Sequence, residues 1–275
     1  MIEVRGLSRY PLTGAHAEEL RSATVLPGGI LGDRMLVLYD PEVPAGEKNR
    51  VGQKQQPKLS QIDAFFIDSG SADKWFYIGV PDDEEGTEMT FWGGDPDCIV
   101  NEFGTDTPCI RQSAGNSAYI TNFLGAPNLW LAQKTMEWAR GRGIRPRDRK
   151  VRPIHIVSEA SVRALQERAG TTQFGSDRFR ANIVLDGDLE PFEENQWVGK
   201  CIQIGGAVLE VVKPTPRCPV PGFDQETGQN MKDIPKLYRG LEKDPSNTPV
   251  FGVYAVPTEE VETSTISVGD ELFFS

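Results

Sequence analysis

The 275-residue chain is predicted to adopt a mixed α/β fold that is mainly β: an N-terminal β-barrel-like unit followed by a second barrel with a few helices. Three observations predict this. Short apolar runs recur along the chain, and 28 glycines and 20 prolines break them up. Helical spacing is confined to the middle of the chain. A basic segment interrupted by Gly and Pro, near residues 138–152, divides two strand-rich stretches. The expected units are 1–135, including a helical linker, and 136–275.

The first strand is Glu3–Tyr10, ended by the turn residues Pro11 and Gly14. Glu18–Val25 is mixed, and Pro27-Gly28-Gly29 breaks it. Gly32–Asp40 reads as a second strand with a charged entry, and the polar stretch 41–57 as a loop. Ala64–Asp68 and Trp75–Val80 are strand candidates, and 84–97 reads as a hairpin region. Ser117–Leu124 is helical and stops at Gly125. Ser158–Arg168 is the clearest helix, capped by Ser158 and ended by Gly170. Strands then return at Asn182–Leu185, Cys201–Ile204, Val208–Val212, Phe251–Val256 and Glu271–Phe274.

Composition excludes several function classes. A net charge of −11 repels phosphate backbones, so general nucleic-acid binding is not expected. No apolar run is long enough to span a bilayer, and Glu3 and Arg5 interrupt any leader, so a soluble cytoplasmic protein is expected. The four cysteines, at 98, 109, 201 and 218, form no CxxC pair, which argues for reduced thiols rather than a zinc ribbon or a disulfide framework. Two histidines leave little material for His-rich metal sites.

Four clusters carry chemical potential. Cys218 follows Arg217 on a stretch stiffened by Pro214, Pro216, Pro219 and Pro221. The adjacent positive charge favours a thiolate, which suits a nucleophile or a soft-metal ligand, and an inert cysteine is the plain alternative. Arg178, Arg180 and Asn182 stand at a strand entry; guanidinium forks bind phosphate, and a solvated arginine pair is the plain alternative. Gly32-Asp33-Arg34 and Asp224–Gly228 read first as turns. The basic run Arg140–Arg152 is either a solvated connection or an anion-facing segment.

In order, these pieces resemble the MOSC family with its N-terminal β-barrel domain. The resemblance rests on Tyr10-Pro11-Leu12, Gly32-Asp33-Arg34 and, more weakly, Gln55–Leu59. It continues through Ser158-Glu159-Ala160-Ser161, Arg178–Val184, Pro191–Trp197, Arg217-Cys218, Asp224–Gly228, Phe251–Tyr254 and Val268-Gly269-Asp270. Similar proteins include the mitochondrial amidoxime-reducing component and its bacterial relatives. The resemblance implies a molybdenum cofactor (molybdopterin), with Cys218 as the molybdenum-ligating thiolate. Arg34, Arg180, Asn182 and Arg217 are implied to hold the pterin and its phosphate. It implies reduction of N-hydroxylated or other N-oxygenated small molecules, with electrons from an external donor protein. A weaker family-level association is pyridoxal phosphate binding. The chain departs from the family at Thr13-Gly14, where Lys-Ser is common, and at Val151-Arg152, where small hydroxyl residues are common. Arg152 is therefore added to the cofactor-binding candidates as a replacement cation. The alternatives are an enzyme without molybdenum that uses Cys218 as a nucleophile or persulfide carrier, and a non-catalytic binding module.

Overall fold

β-Branched and aromatic residues fill the apolar runs, and strands provide most of the regular structure. The structure, a computed structural model, describes residues 1–44, 46–68, 74–90, 93–102, 104–139, 153–170, 172, 174–230, 241–258 and 261–274. The basic run 140–152, with Arg152, lies outside the described residues.

In chain order the strands begin with β1 (Ile2–Arg9), β2 (Glu18–Leu20), β3 (Ser22–Leu26), β4 (Gly29–Ile30), β5 (Leu36–Tyr39) and β6 (Arg50–Val51). Next come β7 (Asp63–Asp68), β8 (Lys74–Gly79), β9 (Thr87–Thr90), β10 (Cys98–Glu102) and β11 (Thr105–Arg111). Helix α1 (Ala114–Leu124), strand β12 (Trp130–Lys134) and the short helix α2 (Met136–Ala139) follow. The rest is β13 (Ile154–Ser158), α3 (Glu159–Ala169), β14 (Ile183–Gly187), β15 (Cys201–Ile204), β16 (Ala207–Pro216), β17 (Val250–Pro257), β18 (Ser264–Ser267) and β19 (Leu272–Phe274).

The mainly-β class expected from sequence is what the chain adopts, and the strands lie in several open sheets. The largest runs β19-β15-β16-β17-β13-β14-β1-β2; within it only β13 and β14 pair in parallel, joined through α3. Its barrel-like character rests on one bridge, Glu3 with Glu271, flanked by Val4 N–H donating to Asp270 O (2.9 Å) and Gly269 N–H donating to Val4 O (2.8 Å). A five-stranded sheet runs β10-β11-β12-β5-β6, and two three-stranded sheets run β18-β3-β4 and β7-β8-β9. One core packs Val4, Leu7, Val25 and Ile30 against Ile156, Ile183, Leu209 and Val253. A second collects Leu12, Leu36, Leu59, Phe66, Phe76 and Ile120. No described helix is long and apolar enough to cross a membrane.

Several local expectations shift. Glu18–Val25 is not mixed but forms β2 and most of β3, and 32–35 is a turn leading into the shorter β5. The stretch through Pro214 and Pro216 is not a loop after a strand but the end of β16 itself. The ladder tolerates these prolines because its register shifts between Val211 and Lys213 and again between Pro214 and Pro216, where a missing N–H costs least.

Candidate functional site

The site assembles at the turns before β5 and β14 and at the end of β16. Arg34 and Arg180 both hold left-handed backbone, at φ 51° and 54°. Such strain in non-glycine residues persists only where the surroundings fix it. Arg34 N–H donates to Tyr10 O at 2.7 Å, and Arg180 N–H to Asp177 O at 3.0 Å, so both turns are closed by hydrogen bonds.

Tyr10 is the buried centrepiece. Two guanidiniums lie over its ring, with Arg180 Cζ 4.1 Å and Arg34 Cζ 5.0 Å from the ring centroid. Its hydroxyl donates to Ala181 O at 3.2 Å. Burial pushes the phenol up to about 12, although Arg180 and Arg34 pull the other way.

The three candidate arginines differ in charge balance. Arg34 pairs with the buried carboxylate of Asp33, and its Nη1 also reaches Asn182 Oδ1 at 3.3 Å. Burial opposes its charge, but Asp33 and Tyr10 outweigh that and raise it above the ordinary arginine value. Arg180 donates to Ala15 O (2.6 Å) and Gln225 Oε1 (3.2 Å), and burial lowers it to about 10. Arg217 donates to Phe179 O (3.2 Å) and lies 3.3 Å from His155 Nε2. Among the described residues no carboxylate hydrogen-bonds to Arg180 or Arg217. Two of their buried nitrogens, Arg180 Nη2 and Arg217 Nε, have no hydrogen-bond partner among the described residues. Buried guanidinium N–H groups without acceptors are unusual and suit an anion.

Asn182 is buried and fully engaged. Its Oδ1 accepts from Arg34 and from His155 N–H (3.1 Å), and its Nδ2 donates to Ser8 O (3.1 Å). Cys218, next to Arg217, is exposed and lies within electrostatic reach of Arg180. The structure thus brings together Arg34, Arg180, Asn182, Arg217 and Cys218. Of the sequence candidates for cofactor binding, Arg152 alone lies outside the described residues.

Other resembling motifs serve elsewhere. Ser158 and Ser161 both donate to the buried Glu194 (3.1 and 2.9 Å), so the Ser-Glu-Ala-Ser and Pro191–Trp197 pieces meet at the start of α3. Asp224 pairs with Arg178 at 2.7 Å, and Gln225 links Arg180 to Gln53, which donates to it at 3.0 Å. At the departure from the family, Thr13 Oγ1 is buried without a hydrogen-bond partner in the described structure, and Gly14 has φ 96°. Sequence reasoning missed Tyr10 as the ring under the arginines, and also His155 and Gln225. The proximity of Tyr10 to the candidate motifs was the one available sign. Among the described residues no group of three His, Cys, Asp or Glu side chains is placed to hold a metal.

The MOSC domain model matches residues 144–273. The chain is 33% identical over 283 residues to molybdenum cofactor sulfurase of Drosophila grimshawi, covering 97% of this chain and 34% of that protein. It is 25% identical over 278 residues to the human molybdenum cofactor sulfurase, covering 91% and 29%. The bovine molybdenum cofactor sulfurase matches at 30% over 130 residues, covering 42% and 14%. The chain therefore spans only about a third, or less, of these relatives. Among solved structures, YuaD of Bacillus subtilis aligns with TM-score 0.41 and 12% identity, covering 99% of this chain and 94% of that one. YiiM of Geobacillus stearothermophilus aligns with TM-score 0.32 and 20% identity, covering 44% and 53%. Residues 144–273 of this chain form a domain of the MOSC family.

Proposed function

We propose that the chain binds a molybdenum cofactor at the Arg34–Arg180–Arg217 cluster, with Cys218 as the thiolate ligand of the metal. The observation that carries this reading is the pair of buried guanidinium nitrogens on Arg180 and Arg217 without acceptors, next to an exposed thiol. In this reading the pterin phosphate takes those nitrogens, Arg34 and Asn182 fix the approach, and the Tyr10 ring lies under two of the cations. Asp33 neutralises Arg34, so the net positive charge offered to the anion comes from Arg180 and Arg217. When bound, the metal centre would supply two-electron oxygen-atom chemistry on N-oxygenated small molecules, with electrons from an external donor protein. The two-unit division at about residue 135 belongs to the same proposal, as does Arg152 as an added cation.

A second reading is favoured by the relatives: Cys218 carries sulfur as a persulfide, in keeping with their description as molybdenum cofactor sulfurases. Exposure of the thiol suits transfer to a partner.

The test is metal and pterin content of the chain purified from a host that makes the cofactor. Near-stoichiometric molybdenum and pterin, lost in Cys218→Ser and Arg180→Ala, is the expected result. Less than about a tenth of an equivalent would sink the molybdenum reading. Pterin analysis also separates this cofactor from pyridoxal phosphate. Intact mass showing a reducible extra sulfur on Cys218, without metal, would instead support the sulfur carrier.

A further inference from the structure

Resting on the anion-site reading above, we infer that His155 is a positioning residue that aims Arg217 through a neutral ring nitrogen. His155 is 3% exposed and stands on β13. Its Nε2 lies 3.3 Å from Arg217 Nη1. A guanidinium always donates, so the nitrogen facing it must accept. Phe251 O lies 3.4 Å from the same Nε2 and competes for it; on this inference the ring proton sits on Nδ1, leaving Nε2 to accept from Arg217. The ring also interacts with the Arg180 main chain. Arg34 Nη2 reaches the same Arg180 carbonyl at 3.4 Å. The His155 main chain completes the node: its N–H donates to Asn182 Oδ1 (3.1 Å), and its O accepts from Asn182 N–H (2.8 Å). His155 thus meets Arg217, Arg180 and Asn182, and Arg34 shares the Arg180 carbonyl.

Two further features keep the ring in place. A Cβ at Gly252 would sit 2.9 Å from Nε2, so the strand opposite leaves room for the imidazole. The Tyr254 ring packs edge-on, with centroids 5.5 Å apart. The charged groups facing the ring are Arg217 and Arg34, with the Tyr254 phenol beside them. Burial and the two cations hold the imidazole well below its ordinary value, in agreement with a neutral acceptor. Arg217 is thereby anchored by a group that adds no competing charge beside the anion.

The test uses the full chain from a host that cannot make the cofactor, with inorganic phosphate as the probe in calorimetry. His155→Met removes the acceptor and is expected to weaken phosphate binding about tenfold or more. His155→Gln restores an acceptor near the Nε2 position and is expected to stay within about threefold of the wild type. Long-range nitrogen–proton NMR of the wild type should show the Nδ1–H tautomer. Unchanged phosphate affinity in His155→Met, with the wild type binding, overturns the role of His155 and leaves the anion site standing. No binding by the wild type overturns the anion site and the positioning role together. If His155→Met fails to fold, the tautomer decides: an Nε2–H ring overturns the inference.

Discussion

Gly252 sits on β17 facing β13, at φ 71°, where a Cβ would lie 2.5 Å from Ile156 O. Both the backbone conformation and the close approach exclude a side chain. Gly252→Ala is expected to cost about 3 kcal/mol or more, read as a lower unfolding midpoint in denaturant. A loss below about 0.5 kcal/mol would mean that β13 and β17 can separate at no cost. At this scale the sequence was informative about charge and poor about contact. Arg34, Arg180, Asn182, Arg217 and Cys218 stand in short motifs whose chemistry is visible without a structure. His155 is isolated in the chain, and Tyr10, although part of Tyr10-Pro11-Leu12, carries no sign there of a role under the arginines; pairing of β13 with β17 and burial of the first turn bring them to the arginines.

The clearest element was α3, where Ser158 caps the first turn by accepting from Ser161 N–H (3.1 Å) and Gly170 ends it at φ 64°. What the local pattern hid is that this cap also holds a buried carboxylate. Glu194 is 0% exposed; its Oε2 accepts from both serines, and its Oε1 has no hydrogen-bond partner among the described residues. Burial raises Glu194 above the ordinary carboxylate value, against the pull of the Ser161 and Ser158 hydrogen bonds. An acid raised in the folded state binds its proton more tightly there. The stability it lends is full below the unfolded value and is lost as pH rises through the folded one. Glu194→Gln removes that loss. The variant should unfold at a higher temperature than the wild type near pH 8, and the gap should close near pH 4. An equal gap at both pH values would show that the carboxylate is not the titrating group.

At the scale of the whole molecule, the sequence led to a division near residue 135, because the basic segment interrupts two strand-rich stretches. Strand pairing crosses that line, which no local pattern reveals. β1 lies between β14 and β2, and β3 pairs with β18. Val4, Leu7, Ala23, Val25 and Ile30 are buried in the core that the C-terminal strands build. Removing them would forfeit roughly 1.5–3 kcal/mol for each large side chain, about 10 kcal/mol in all, which is comparable to the stability of a whole domain. It would also leave β14 an unpaired edge beside the site, with Asn182 stripped of its bond to Ser8 O (3.1 Å). A fragment of residues 136–275 is therefore expected to show no cooperative thermal transition, and adding a peptide of residues 1–30 should restore one. Cooperative unfolding of the fragment alone, by circular dichroism, would show instead that the C-terminal unit closes without the first four strands.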